Sequence, residues 1–161
     1  MKKIYRQLLN LFLVTAIIVG GGIFINSMMT QASVSKTEDE KAGTMEVHFI
    51  DVGQGDSTLI TCEGQSMLID TGEAVKGTAI QNYLQKQKIK KLDYLVLTHP
   101  DSDHIGGAPV IITKFNIDKV FVSNFEKDNK TYQKLIQALD NKHLKKTTPK
   151  VGAKYSLGTA E

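Results

Sequence analysis

Leu92-Asp93-Tyr94-Leu95-Val96-Leu97-Thr98-His99-Pro100-Asp101-Ser102-Asp103-His104-Ile105-Gly106-Gly107 is the stretch whose reading decides the rest of this chain. Leu92 to Leu97 is a nearly continuous apolar run, the pattern of a strand buried on both faces. Four side chains able to bind a metal follow within six residues: His99, Asp101, Asp103 and His104. Pro100 biases His99 away from helical geometry, so an extended backbone is expected to project His99, Asp101 and Asp103 toward a common side. Gly106 and Gly107 are expected to permit a tight turn into a helix, which lets His104 swing back to the same point. Imidazole nitrogen with carboxylate oxygen suits zinc, manganese or iron, and a site with open positions brings the pKa of bound water to about 7. The alternative is a polar turn in which Asp101 or Asp103 caps the next helix and the histidines stand in solvent. Two histidines and two aspartates at these spacings exceed what a cap requires.

Working outward, Met45 to Val52 reads as a strand with Val47 and Phe49 on one face and His48, Ile50 and Val52 on the other, both mostly covered. Gly53 to Asp56 breaks it, and Ser57 to Cys62 with Ser66 to Ile69 forms a hairpin across Glu63-Gly64-Gln65. Ile80, Tyr83 and Leu84 recur at helical spacing and predict an amphipathic helix from Gly77 to about Lys88. Beyond the polar loop, Ala108 to Phe115 is a short helix that tolerates Pro109 in its first turn, and Lys119 to Ser123 is a strand. Tyr132, Leu135, Ile136 and Leu139 mark a second amphipathic helix, begun near Asp128 or Asn129 and spent by about His143. Lys154 to Leu157 is read as a weak final strand. Strands alternating with helices in this order make an α/β (α+β) fold.

The N-terminal segment has a different character. Leu8 to Ile25 carries no charge and is almost wholly apolar, behind the positive flank of Lys2, Lys3 and Arg6. Residues 1–32 read as a signal peptide, with Thr30-Gln31-Ala32 resembling a cleavage site, or as a retained membrane anchor formed by an N-terminal hydrophobic helix. Either way the positive flank stays in the cytoplasm and the remainder is secreted or tethered on the extracytoplasmic side. Residues 33–44 are a polar linker, and 45–161 the domain. The formal charge of +3 resides in the leader: once Lys2, Lys3 and Arg6 are set aside, 17 basic residues face 17 acidic ones. Net charge therefore makes no case for nucleic acid, and the lysine clusters at 86–91 and 142–150 read as solvated helix faces. Cys62 is the single cysteine, which excludes an intramolecular disulfide and a cysteine-rich zinc site, and its apolar setting marks it as a packed thiol.

The string His99-Pro100-Asp101-Ser102-Asp103-His104-Ile105-Gly106-Gly107 resembles the metal-binding motif of the metallo-β-lactamase superfamily, usually written His-x-His-x-Asp-His. Phe49-Ile50-Asp51-Val52-Gly53-Gln54-Gly55-Asp56-Ser57 and Leu68-Ile69-Asp70-Thr71-Gly72 narrow the resemblance to the hydrolase domain of the DNA-uptake competence protein ComEC and its free-standing relatives. The resemblance implies that His99 ligates a first metal, that Asp103 and His104 ligate a second and carry catalysis, and that Asp70 supports the site from a neighbouring strand end. Asp101 stands where the superfamily has His, a change the ComEC-like branch commonly shows; the harder ligand favours manganese, or a weaker first site, over tightly held zinc. Asp56 is read first as a turn residue and second as a neighbour of the metal loop. His48 is read as a packed histidine.

The superfamily fold is an αββα sandwich of two similar halves, the second supplying further histidines and a bridging aspartate. After His104 only His143 remains, at the end of a lysine-flanked helix, so the resemblance implies the first half only, a partial domain over 45–161. A sheet face built to pack on a second sheet is then expected to be uncovered, forfeiting about 25 cal/mol per Å² of apolar area, with an edge that invites self-association. Two functions follow. One is an exported metal-dependent hydrolase of an ester or phosphodiester substrate, nucleic acid included. The other, expected of these 161 residues by themselves while the hydrolase is expected of the family, is an inactive, non-catalytic remnant or interaction module that pairs with a chain supplying the missing half.

Overall fold

A computed structural model describes residues 43–160. The leader or anchor read at 1–32, and the linker up to residue 42, lie outside the described residues. Among the described residues no helix is long and apolar enough to cross a membrane.

Strands β1 (Met45–Phe49), β2 (Thr58–Cys62) and β3 (Gln65–Ile69) form an antiparallel meander. The chain then alternates: α1 (Gly77–Lys86), entered through a single 3-10 turn at Ala74–Lys76, β4 (Lys91–Leu97), α2 (Ser102–Ile105), α3 (Ala108–Lys114), β5 (Asn116–Val122), α4 (Lys130–Asn141) and β6 (Lys146–Thr147). The six strands lie in the order in which they occur, with β3 to β6 parallel. Parallel neighbours require crossovers, and the helices supply them.

In-register partners on neighbouring strands share a face, so the ladder separates two sides. Leu59, Leu68, Leu95 and Val120 stand in one cross-strand row and are fully buried. Onto this row pack Ile80 and Leu84 of α1, Ile111 and Ile112 of α3, and Leu135 and Leu139 of α4. The helical spacing of those residues places them on the core side of each helix. On the other side, Phe49, Thr58, Ile69, Val96 and Phe121 form a row, and Val47, Ile60, Met67 and Tyr94 another. No helix covers these rows among the described residues. Only the returning C-terminal segment crosses part of this side, where Pro149, Tyr155 and Leu157 face Met67, Tyr94 and Val96 across an apolar groove.

This two-sidedness corrects the expected burial of both faces of the first strand. Val47 is 43% and Phe49 84% exposed, because β1 is an edge strand and no helix among the described residues covers that face of it. On the interior strand β4 the same face is covered only by the returning C-terminal segment, which leaves Tyr94 and Val96 half-buried although the apolar run reads as buried on both faces. The final strand is also displaced. Lys146–Thr147 pairs with β5, whereas 154–157 forms no strand and contributes only the isolated bridge Leu157 to Ala160. Tyr155 packs instead edge-on against Phe121, with ring centroids 4.7 Å apart.

The metal-motif loop is less extended than expected. Asp101 is extended, at φ −84° and ψ 149°, but Ser102 to Ile105 is one helical turn. Gly106 and Gly107 both have right-handed helical backbone, so the pair makes no left-handed turn. They are required for closeness: a Cβ on Gly106 would lie 2.4 Å from the Ala74 nitrogen, and one on Gly107 2.3 Å from the Thr71 carbonyl oxygen.

Candidate metal centre

Because β3, β4 and β5 are parallel, the loops that leave their carboxyl ends gather at one rim of the sheet, the usual place for a site in such sheets. Backbone hydrogen bonds lace them together: Thr71 N donates to His104 O at 2.7 Å, Gly107 N to Gly72 O at 3.1 Å, and Gly72 N to Asp56 O at 2.9 Å. Gly55 belongs to the same lacing. Its φ is +98°, and a Cβ there would sit 2.0 Å from the Asp103 carbonyl oxygen, so no other residue fits against the motif loop.

Asp70 lies under the cluster, 3% exposed and in left-handed backbone at φ 57°, a conformation that aspartate tolerates better than most residues. Its Oδ1 accepts from Thr98 N at 2.9 Å. Its Oδ2 is shared by the Thr98 hydroxyl at 2.6 Å and by His104 Nδ1 at 2.9 Å. Proton counting along this chain fixes both imidazoles. A carboxylate only accepts, so His104 donates from Nδ1, the tautomer whose neutral ring carries its lone pair on Nε2. The Thr98 hydroxyl has one hydrogen, given to Asp70, so at 3.0 Å it accepts from His99 Nδ1, which leaves the lone pair of His99 on Nε2 too. A buried carboxylate behind a histidine is the arrangement that orients metal-ligating imidazoles.

The predicted residues come together two by two. His99 Nε2 lies 3.8 Å from Asp101 Oδ2, and His104 Nε2 lies 3.9 Å from Asp103 Oδ2, with the two rings 3.7 Å apart between centroids. Ligands bound at about 2.1 Å in a tetrahedral site stand about 3.4 Å apart, so each pair is a few tenths of an ångström wider than one ion requires. Among the described residues no three such side chains surround one point as they stand. The donor set nonetheless fits divalent ions in kind: two imidazole nitrogens with their protons held behind them, two carboxylates in front, and a cation already drawn to one of these. That cation is the Lys127 ammonium, paired with Asp101 Oδ1, which holds the Asp101 carboxyl below the usual carboxylate range. Asp70 stands behind the pairs, its oxygens engaged by Thr98 and His104.

Asp56 serves in both of its expected roles. Its backbone joins the lacing, and its exposed carboxylate approaches His104 Nδ1 at 3.8 Å. His48 packs edge-on to Tyr83 and bonds its hydroxyl at 3.0 Å. His143 is exposed, at φ 55° just past the end of α4, and Cys62 is buried. The sequence reading passed over Thr98 and Lys127. Thr98 could have been found from its place between a buried strand and a histidine; nothing local marks Lys127, which is 26 residues from Asp101.

The metallo-beta-lactamase superfamily matches residues 50–149. The chain is 36% identical to "Recombination protein 2" of Haemophilus influenzae, over 55% of this chain and 12% of that protein. It is 45% identical to "Competence protein ComA" of Neisseria gonorrhoeae, over 38% of this chain and 9% of that protein. The chain thus spans about a tenth of the length of these relatives. Among solved structures, Rm3 metallo-beta-lactamase superposes with a TM-score of 0.52 at 16% identity, covering 70% of this chain and 45% of that one, a likeness of fold. One sheet backed by helices, with the histidine and aspartate loop at its rim, is therefore inherited: this chain belongs to the metallo-β-lactamase superfamily and is similar to its competence-protein members.

Proposed function

We propose that this chain holds a metal-binding site of an exported hydrolase that cleaves esters, phosphodiesters foremost. The observation that carries the reading is the hydrogen-bond chain from His99 through Thr98 to Asp70 and back to His104, which leaves both Nε2 atoms as lone-pair donors. His99 with Asp101 would hold one divalent ion, Zn or Mn, and Asp103 with His104 a second. Bound there, such an ion supplies Lewis-acid polarisation of a phosphoryl oxygen and acidifies water. The protein's own part is to keep protons on both Nδ1 atoms, to hold Asp103 beside His104, and to leave the rim open to substrate. The phosphodiester preference is supported by relatives named for recombination and competence. Export is supported by the charged flank and apolar run of the first 25 residues.

The test is Mn(II)-dependent cleavage of bis(p-nitrophenyl) phosphate by the purified full chain. His104→Ala is expected to abolish it, and equal activity in that variant rejects the reading. A second reading, a weakly metal-binding module that pairs with a polypeptide supplying more ligands, is favoured by the two-ligand character of each pair. Metal content after dialysis separates the two: ions retained on the chain support the hydrolase and reject a weakly binding module, and their loss favours the module.

A further inference from the structure

Lys127 stands on the loop between β5 and α4, and the residues on either side of it, Glu126, Asp128 and Asn129, are tied down by hydrogen bonds. On one side, Glu126 accepts from Lys146 Nζ at 2.7 Å, and the same ammonium reaches the Tyr132 hydroxyl at 3.0 Å. On the other, Asp128 accepts from Gln133 Nε2 at 3.2 Å, and Asn129 caps α4 by accepting from Tyr132 N at 2.8 Å. A loop held on both sides presents Lys127 to the rim, where its ammonium meets Asp101 Oδ1 while Asp101 Oδ2 faces His99.

Asp101 is thus shared between a lysine and a histidine. If the ammonium only steadied Asp101, removing it would weaken metal binding; if it competes, removing it would strengthen binding. Magnitudes favour competition. Both partners are nearly half exposed, at 47% and 44%, and an exposed lysine pair fixes a carboxylate weakly because the four-carbon stem costs entropy to hold. A divalent ion on Oδ2, by contrast, must share the same small carboxylate with a positive charge, and like charges at that range repel even in water.

We infer that Lys127 is a built-in counter-cation of Asp101 that competes with divalent metal for the His99 and Asp101 pair and so sets how readily that position loads. The inference rests on the metal reading given above. Loading displaces the ammonium and frees it at the rim, and no covalent step is involved.

The experiment titrates the full chain with Mn(II) alone and follows the free aquo ion by electron paramagnetic resonance. Lys127→Gln is expected to bind Mn(II) about two- to fivefold more tightly than the parent, the range that exposed ion pairs span. Lys127→Arg, which keeps the charge, is expected to match the parent. The gap between parent and Lys127→Gln is expected to shrink as salt rises, because both partners are screened. Equal or weaker Mn(II) binding by Lys127→Gln, or a gap that salt leaves unchanged, overturns the inference. Its failure is separable from failure of the metal reading. Binding that His99→Ala and His104→Ala abolish but Lys127→Gln does not tighten sinks the competition alone. Absence of Mn(II) binding in parent and variants sinks both.

Discussion

The two sides of the sheet are made of similar residues and have opposite fates. Leu95 and Val96 are adjacent on β4; one is fully buried under the helices, the other half-buried beside an open groove. Composition does not distinguish them, since both are aliphatic. Position does, because successive strand residues point to opposite faces and, among the described residues, helices pack on one face alone. The difference separates what holds the domain together from what it leaves available. Stability comes from the helix side, and the rim that gathers Asp70, Thr98 and the motif loop is anchored to that side.

The largest effect should therefore come from Leu95→Ala, which opens a cavity in the closed row and is expected to cost about 2–5 kcal/mol in urea denaturation. Val96→Ala, one residue away, removes half-exposed methyls and is expected to cost about 1 kcal/mol or less. Equal losses at the two positions would mean that the open side is covered in solution, and would break the contrast. The smallest effect lies at the loop beyond β5. The Lys146 ammonium holds the Glu126 carboxyl below its ordinary range, and Glu126 in turn raises Lys146. A depressed carboxylate contributes stability above its unfolded pKa of about 4.3 and loses it as pH falls through the lower folded value. Thermal denaturation of Glu126→Gln is therefore expected to fall less steeply than the parent below about pH 4.3 and to differ least at high salt.

Much of this was readable beforehand, for reasons that differ by element. The helix carrying Tyr132, Leu135 and Leu139 was legible because its period is sustained and Asn129 caps it. The hairpin was legible because two apolar runs flank Glu63-Gly64. The exposure of Phe49 was not, since alternation tells which residues share a face but not whether anything covers it. The helical turn at Ser102–Ile105 is too short to show a period, and the two-residue β6 is too short to show alternation. At the centre, the four motif residues announced themselves by type and the resemblance implied their grouping into two pairs, whereas the proton positions set by Asp70 and the reach of Lys127 are three-dimensional facts. The glycines of the motif were correctly singled out for the wrong property, close approach to Ala74 and Thr71 being invisible without the neighbouring loops.

The strand order, which repeats the chain order from β1 to β6, bears on how the domain assembles. Every strand after the first pairs with the one synthesised just before it, so no strand must wait for a distant later strand to begin its ladder. The first three strands close through short connections, on the microsecond scale of hairpins, and give each later crossover a ready template. A polypeptide that emerges amino end first could thus grow its sheet in the order of emergence, the rim taking shape only when β4 and β5 have docked.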